Sequence, residues 1–183
     1  MFIFVHSIYL FTCGFGLWKK VESFLENNPA QLKVARTIVE QGFHISEDGK
    51  IYCGNTEIPA SKIARPLGVD RRVVGNTITS ILSEPELREI FTKIKSAGPF
   101  FGDIADQLGF GVVLINAKPQ TVGIVAKATS LIAAEGISIR QIIAEDPELY
   151  PEPKLTIITE KVVSGDIIQE FLRIPGVERV TIY

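Results

Sequence analysis

Cysteine and histidine are scarce in this chain of 183 residues, with 2 of each: Cys13, Cys53, His6 and His44. That number and scatter exclude a metal cluster and a disulfide framework. Free, reduced thiols in a cytoplasmic protein are the expectation, with no metal and no cofactor. A charge excess is missing too, since 19 lysines and arginines face 21 acids for a net charge of −2. No global basic field advertises nucleic acid or a membrane, so any DNA contact must come from a local patch. The chain has no Gly-x-x-x-x-Gly-Lys-Ser/Thr loop, no nucleophile elbow and no His-Glu-x-x-His. No paired carboxylates fall where a pocket is expected. A non-enzyme follows.

What is present is a 46% hydrophobic content, enough for one sizeable domain or two small ones. Residues 1–17 form an apolar extension, because Met1 to Trp18 carries no lysine, arginine, aspartate or glutamate. Three readings stay open for it: a start-site artefact or loose extension, a membrane-associated helix, or a strand packed on the body. It is short for a span, lacks a positive leading region and is interrupted by Gly14 and Gly16.

Residues 18–97 read as a helical module. Trp18, Val21, Phe24 and Leu25 recur at helical spacing; Asn28-Pro29 restarts a helix with Leu32, Ala35, Ile38 and Val39 inward. Residues 43–53 contain an Asp48-Gly49 hairpin signal. The informative stretch is 58–82, where Ile63, Ala64, Leu67, Gly68, Val69, Val74 and Ile78 follow the pattern of a helix-turn-helix. Asp70 is the expected cap of the second helix. Its outward residues are Arg71, Arg72, Asn76 and Thr79, chemistry suited to phosphates, guanine edges and adenine. The same motif also occurs as plain packing, and Pro66 and Gly75 weaken the two helices. Lys50 and Tyr52 make the hairpin a candidate wing, or else an ordinary solvated turn. A mixed-charge helix over 84–97 follows, and then a linker over 98–109 in which Phe100 and Phe101 are expected to be buried.

Residues 110–183 carry strand, helix, strand, strand, helix and strand patterns in succession. Gly111 to Asn116 is a short β-branched run, and Ile124, Val125, Ala128, Leu131 and Ile132 recur at helical spacing up to Gly136. Residues 137–143 and 154–160 alternate. Ser164 caps a stripe of Ile167, Ile168, Phe171 and Leu172, Pro175-Gly176 ends it, and Val177 to Tyr183 closes the unit. The fold class is therefore α+β: a helix-turn-helix domain, with or without a wing, followed by a ferredoxin-like βαββαβ domain. The loop 145–153 packs four acids and three prolines; it reads as a solvated loop, or as a lid or contact for a cationic partner.

Residues 122–139 and the ending Leu172-Arg-Ile-Pro-Gly-Val-Glu-Arg-Val180 resemble the ACT domain, a small regulatory fold that binds amino acids. The resemblance implies a ligand at the turn after the first strand, at an interface between two copies. The family's turn commonly reads Asp/Asn-x-Pro-Gly, whereas residues between Pro119 and Gly123 intervene here, and Ser138 stands where asparagine is frequent. Physically, the N–H groups of Thr121, Val122, Gly123 and Ile124 suit a carboxylate and Asn116 and Gln120 an amino group. Asn116 and Thr121 equally suit a plain capping role. Together these readings describe an amino-acid-sensing, DNA-binding homodimer that regulates amino-acid metabolism. The alternative is a regulatory subunit that docks on a metabolic enzyme.

Overall fold

The computed structural model describes residues 16–119 and 121–183. The expectations for residues 1–15 and for Gln120 lie outside the described residues. The chain divides between Ala97 and Gly98 into two units. Among the described residues no helix is long and apolar enough to cross a membrane, and no group of three or more His, Cys, Asp or Glu could hold a metal ion.

In the first unit, α1 (Leu17–Leu25) buries Trp18, Val21 and Leu25, which share one face at i, i+3 and i+7. Proline at the first position of α2 (Pro29–Glu40) follows Asn28 as its spacing predicts. The buried stripe of α2 runs through Val34, Ala35 and Ile38, which leaves Leu32 and Val39 half-buried at its margins. A three-stranded antiparallel meander comes next: β1 (His44–Ile45), β2 (Ile51–Cys53) and β3 (Thr56–Ile58). The third strand was not legible as a strand, because Thr56-Glu57-Ile58 is too short to alternate; its signal is the tight turn at Gly54, φ +57°.

Then α3 (Ala60–Leu67), α4 (Arg71–Ser83) and α5 (Pro85–Lys93) complete the unit. Gly68 makes the α3–α4 turn in the left-handed region, φ +66°, where a Cβ is disfavoured. The Asp70 carboxylate accepts the Arg72 N–H at 2.8 Å and so caps α4. Ile63, Ala64, Val74, Ile78, Ile81, Leu87 and Phe91 are buried. Helix α5 stops at Lys93 rather than continuing to Ala97. Residues 94–96 turn away to run over Gly42, where a Cβ would lie 2.7 Å from Ser96 Cα.

The second unit is a four-stranded antiparallel sheet built from β4 (Gly111–Ala117), α6 (Ile124–Ala134), β5 (Ile139–Ala144), β6 (Lys154–Thr159), α7 (Ile168–Leu172) and β7 (Val177–Ile182). The strand order is β5-β6-β4-β7, the arrangement of a split βαβ, ferredoxin-like sheet. Val113, Ile115, Leu155 and Ile157 on one face form a core with Ala128 and Ile132 of α6 and Phe171 of α7. Both helices therefore cover the same face. The expected second helix is divided: Gly165–Ile167 is a 3-10 turn and only Ile168–Leu172 is α-helical.

Residues 98–110 belong to the sheet's other face. Val112 and Ile158, which alternate with the helix-facing positions, are fully buried, as is Ala105. The Gln141 side chain donates to Pro99 O at 2.8 Å and accepts from Phe101 N–H at 3.1 Å. Phe100, expected to be buried, is 46% exposed because its ring lies over Gly102 at the surface. Gly111, in the parity of Val113 and Ile115, tolerates no bulk at the end of the helix-side face: a Cβ there would sit 2.6 Å from both Lys161 O and Val162 Cα. Gly111→Ala is expected to cost about 1–3 kcal/mol by overpacking. Urea unfolding followed by circular dichroism measures it, and an unchanged midpoint would contradict this packing.

Candidate functional site

In α4 the buried residues Val74, Thr77, Ile78 and Ile81 mark the inner face. Arg72, Asn76 and Thr79, at i, i+4 and i+7, form the opposite stripe, and all three are exposed, as is Arg71 at the helix start. Lys62 and Arg65 on α3 are exposed as well, so the only acid from residue 60 to residue 83 is the capping Asp70. The motif thus presents a local basic patch on a chain of nearly neutral net charge. Lys62 and Arg65 were not singled out by their sequence pattern. Their signal is the absence of acids around them.

The hairpin does not project as a wing. Its tip lies on the flank of α4, where a Cβ on Gly49 would be 3.6 Å from Ile78 Cγ2. Lys50 is engaged with Asp48 and Glu57, at 3.8 and 3.5 Å, and the Tyr52 ring stacks on His44. A Ser46 hydroxyl hydrogen bond holds the Asp48 carboxyl below the usual carboxylate range. Glu47 and Asp48 therefore line a groove with Gly75 and Thr79. Arg88 lines the same groove, so its wall is mixed in charge, and the cations of α4 itself are Arg71 and Arg72 at its start. Gly75 has nothing within 4 Å of a Cβ, so no close backbone approach within this unit requires it.

In the second unit the corner between β4 and α6 is built by three devices. A bulge at Asn116/Ala117 shifts the register against β7. Lys118 N–H donates to Gly176 O at 2.8 Å, and the Thr121 side chain lies over Gly176, where a Cβ would meet its Oγ1 at 2.6 Å. Gly176, φ +87°, is glycine for both its conformation and that contact. Gly123, φ +89°, starts α6 without a side-chain cap. Among the described residues no side chain caps the first N–H groups of α6. Val122 is 94% exposed.

The expected residues divide rather than converge. Asn116 alternates with core-facing Ile115 and points to the face away from the helices, where its Oδ1 accepts from Arg179 Nε and Nη2 at 3.3 and 3.2 Å. Thr121 and Ile124 line a hollow of about 160 Å³ on the helix side, with Glu145, Pro147 and Lys154. A second hollow, about 350 Å³, opens beside Asn116 and Arg179. Ser138 is exposed at the opposite end of the sheet: its carbonyl accepts Glu160 N–H, whereas Asn116 pairs with Lys154, six residues along the same strand. At about 3.3 Å per residue that separation is roughly 20 Å. Within one chain Ser138 and the corner do not form one site.

No protein-family model matches this chain, and no curated protein matches it in sequence. Among solved structures it is similar to PH0061, with 15% identity and a TM-score of 0.26 over 85% of this chain and 89% of that one. It is also similar to a transcriptional regulatory protein of Pyrococcus furiosus, a member of the AsnC family, with 11% identity and a TM-score of 0.25 over 93% of this chain and 88% of that one.

Proposed function

We propose that this chain is a homodimeric, amino-acid-responsive transcriptional regulator of amino-acid metabolism. Its helix-turn-helix is the DNA reader and its second unit an ACT-like receptor. The observation that carries the reading is the basic face of α3 and α4, where Arg71, Arg72 and Asn76 project beyond a capped, closely turned helix pair. Phosphates would meet Lys62, Arg65 and Arg71; base edges would meet Arg72 and Asn76.

The receptor half is supported by the corner at Asn116 to Ile124, which offers uncapped helix N–H groups and two flanking hollows. Dimerisation through the β5 edge would complete it. An antiparallel β5–β5 pair sets Ile139 of one chain near Ala144 of the other, which carries the partner subunit's Ser138 toward this corner. An effector held there would alter the spacing of two DNA readers, by no more than its difference in affinity for the two arrangements.

Titration of genomic DNA fragments at rising salt is the experiment. Binding should fall steeply with salt, and replacing both Arg71 and Arg72 by alanine should reduce affinity by about 10- to 100-fold at low salt while flattening that slope. A wild-type chain that ignores DNA at low salt removes the DNA-reading half of the proposal.

A further inference from the structure

Nothing among the described residues of the first unit explains the glycine at 75. It lies within α4, where the backbone is helical, unlike Gly68 of the preceding turn at φ +66°. A Cβ built on it meets no atom within 4 Å, and the position is exposed. Glycine in a helix interior is disfavoured against alanine, because it has more backbone freedom to lose on folding. The residue thus weakens the very helix that carries Arg71, Arg72 and Asn76, and no packing offsets the loss. Its surface neighbours at i−4, i−3 and i+4 are Arg71, Arg72 and Thr79, all exposed. Thr79 turns its hydroxyl back to the helix, Oγ1 donating to Gly75 O at 3.1 Å, and so adds little height. Asn76 is short, and its amide can meet a base edge only where the helix backbone itself comes close. A side chain at 75 would be the first obstacle to that approach.

We propose that Gly75 is a positioning residue for base reading: its bare backbone lets α4 sink into the major groove far enough for Asn76 to reach an adenine edge. The inference rests on the DNA-reading half of the proposal above and deepens that same site. Charge selects duplex DNA as the occupant over a second copy of this chain. Lys62, Arg65, Arg71 and Arg72 surround the approach, and the one acid from residue 60 to residue 83 is Asp70, which is engaged as the helix cap. Two such faces would repel each other. Glu47 and Asp48 in the neighbouring groove are offset there by Arg88, and Lys50 pairs with Asp48 at 3.8 Å. The arginines at the helix start are long enough to reach phosphates or guanine from further out. A helix held off by one methyl group therefore loses the reading of adenine first.

The test compares a duplex selected from genomic fragments with a random-sequence duplex, for the full-length wild type, Gly75→Ala and Gly75→Leu, alongside thermal melts of each protein. Gly75→Ala should raise the melting midpoint by about 4–8 °C, the gain from a better helix former at an unstrained position. It should nevertheless weaken binding of the selected duplex by about 10-fold or more. Gly75→Leu should stay folded and lose more. Affinity for the random duplex, and its salt slope, should stay near wild type because no phosphate contact is removed, which separates this effect from the loss of Arg71 and Arg72. A stabilised Gly75→Ala that holds the selected duplex as tightly as wild type overturns the inference while leaving the DNA reader standing. So does a Gly75→Ala less stable than wild type, which makes the glycine a packing residue, and so does a wild type that binds every duplex equally. Unchanged DNA binding with altered dimer dissociation overturns it in favour of a second copy against α4. If the wild type ignores DNA at low salt, the inference falls with the reading it rests on.

Discussion

Phe171→Ala should unfold the second unit under conditions in which the wild type stays folded. The side chain is fully buried and belongs to the core that also holds Val113, Ile115, Ala128 and Ile132. Truncation of a large buried aromatic costs about 3–5 kcal/mol, the transfer energy of the lost atoms together with the cavity left behind. Helix α7 is only 5 residues long and cannot hold itself by propensity, and Phe171 is its one buried residue. The midpoint of urea unfolding by far-ultraviolet circular dichroism should fall accordingly. A midpoint within error of the wild type would mean that Phe171 is not a core residue.

Trp18→Ala should be comparably severe in the first unit. Trp18 is 2% exposed, its Nε1–H donates to Glu22 at 2.6 Å, and the Arg36 guanidinium lies 4.5 Å above its ring. Three contributions are lost together: apolar burial, a hydrogen bond, and a cation–π contact that fastens α1 to α2. About 3–5 kcal/mol is expected for the truncation. Trp18→Phe should restore the greater part of the apolar term while omitting the hydrogen bond, and so should fall between the two. Thermal melts of the three proteins give the comparison, and an alanine variant as stable as wild type would contradict it. Because Trp18 is the sole tryptophan, its fluorescence in the wild type follows this unit directly.

The elements were legible in the sequence where local chemistry decides them. Proline after Asn28, the Asp70 cap and the glycine at 68 all act within a few residues, and each structure follows from them, whereas β6, expected to alternate, is buried on both faces from Leu155 to Thr159. What was illegible depended on partners distant in the chain. The end of α5 is set by Gly42, some fifty residues earlier, and the exposure of Phe100 by its own Gly102 rather than by a buried joint. Lys50 and Tyr52 suit a wing or a solvated turn, and the structure brings Gly49 of that hairpin against Ile78. At the candidate site, the turn residues were recognisable and their directions were not. Asn116 follows Ile115, so the pleat turns it from the helix start toward Arg179, a residue whose part only the strand register reveals. Ser138 was grouped with the corner by resemblance, and the antiparallel path of β5 sends it to the other end.

The Gln141 amide grips the chain at Pro99 and Phe101, immediately after the boundary at Ala97. Because Gln141 lies in β5, the edge strand, any slip or twist of that edge also pulls on residues 99 and 101. The first residues of the second unit thus move with its rim rather than independently of it.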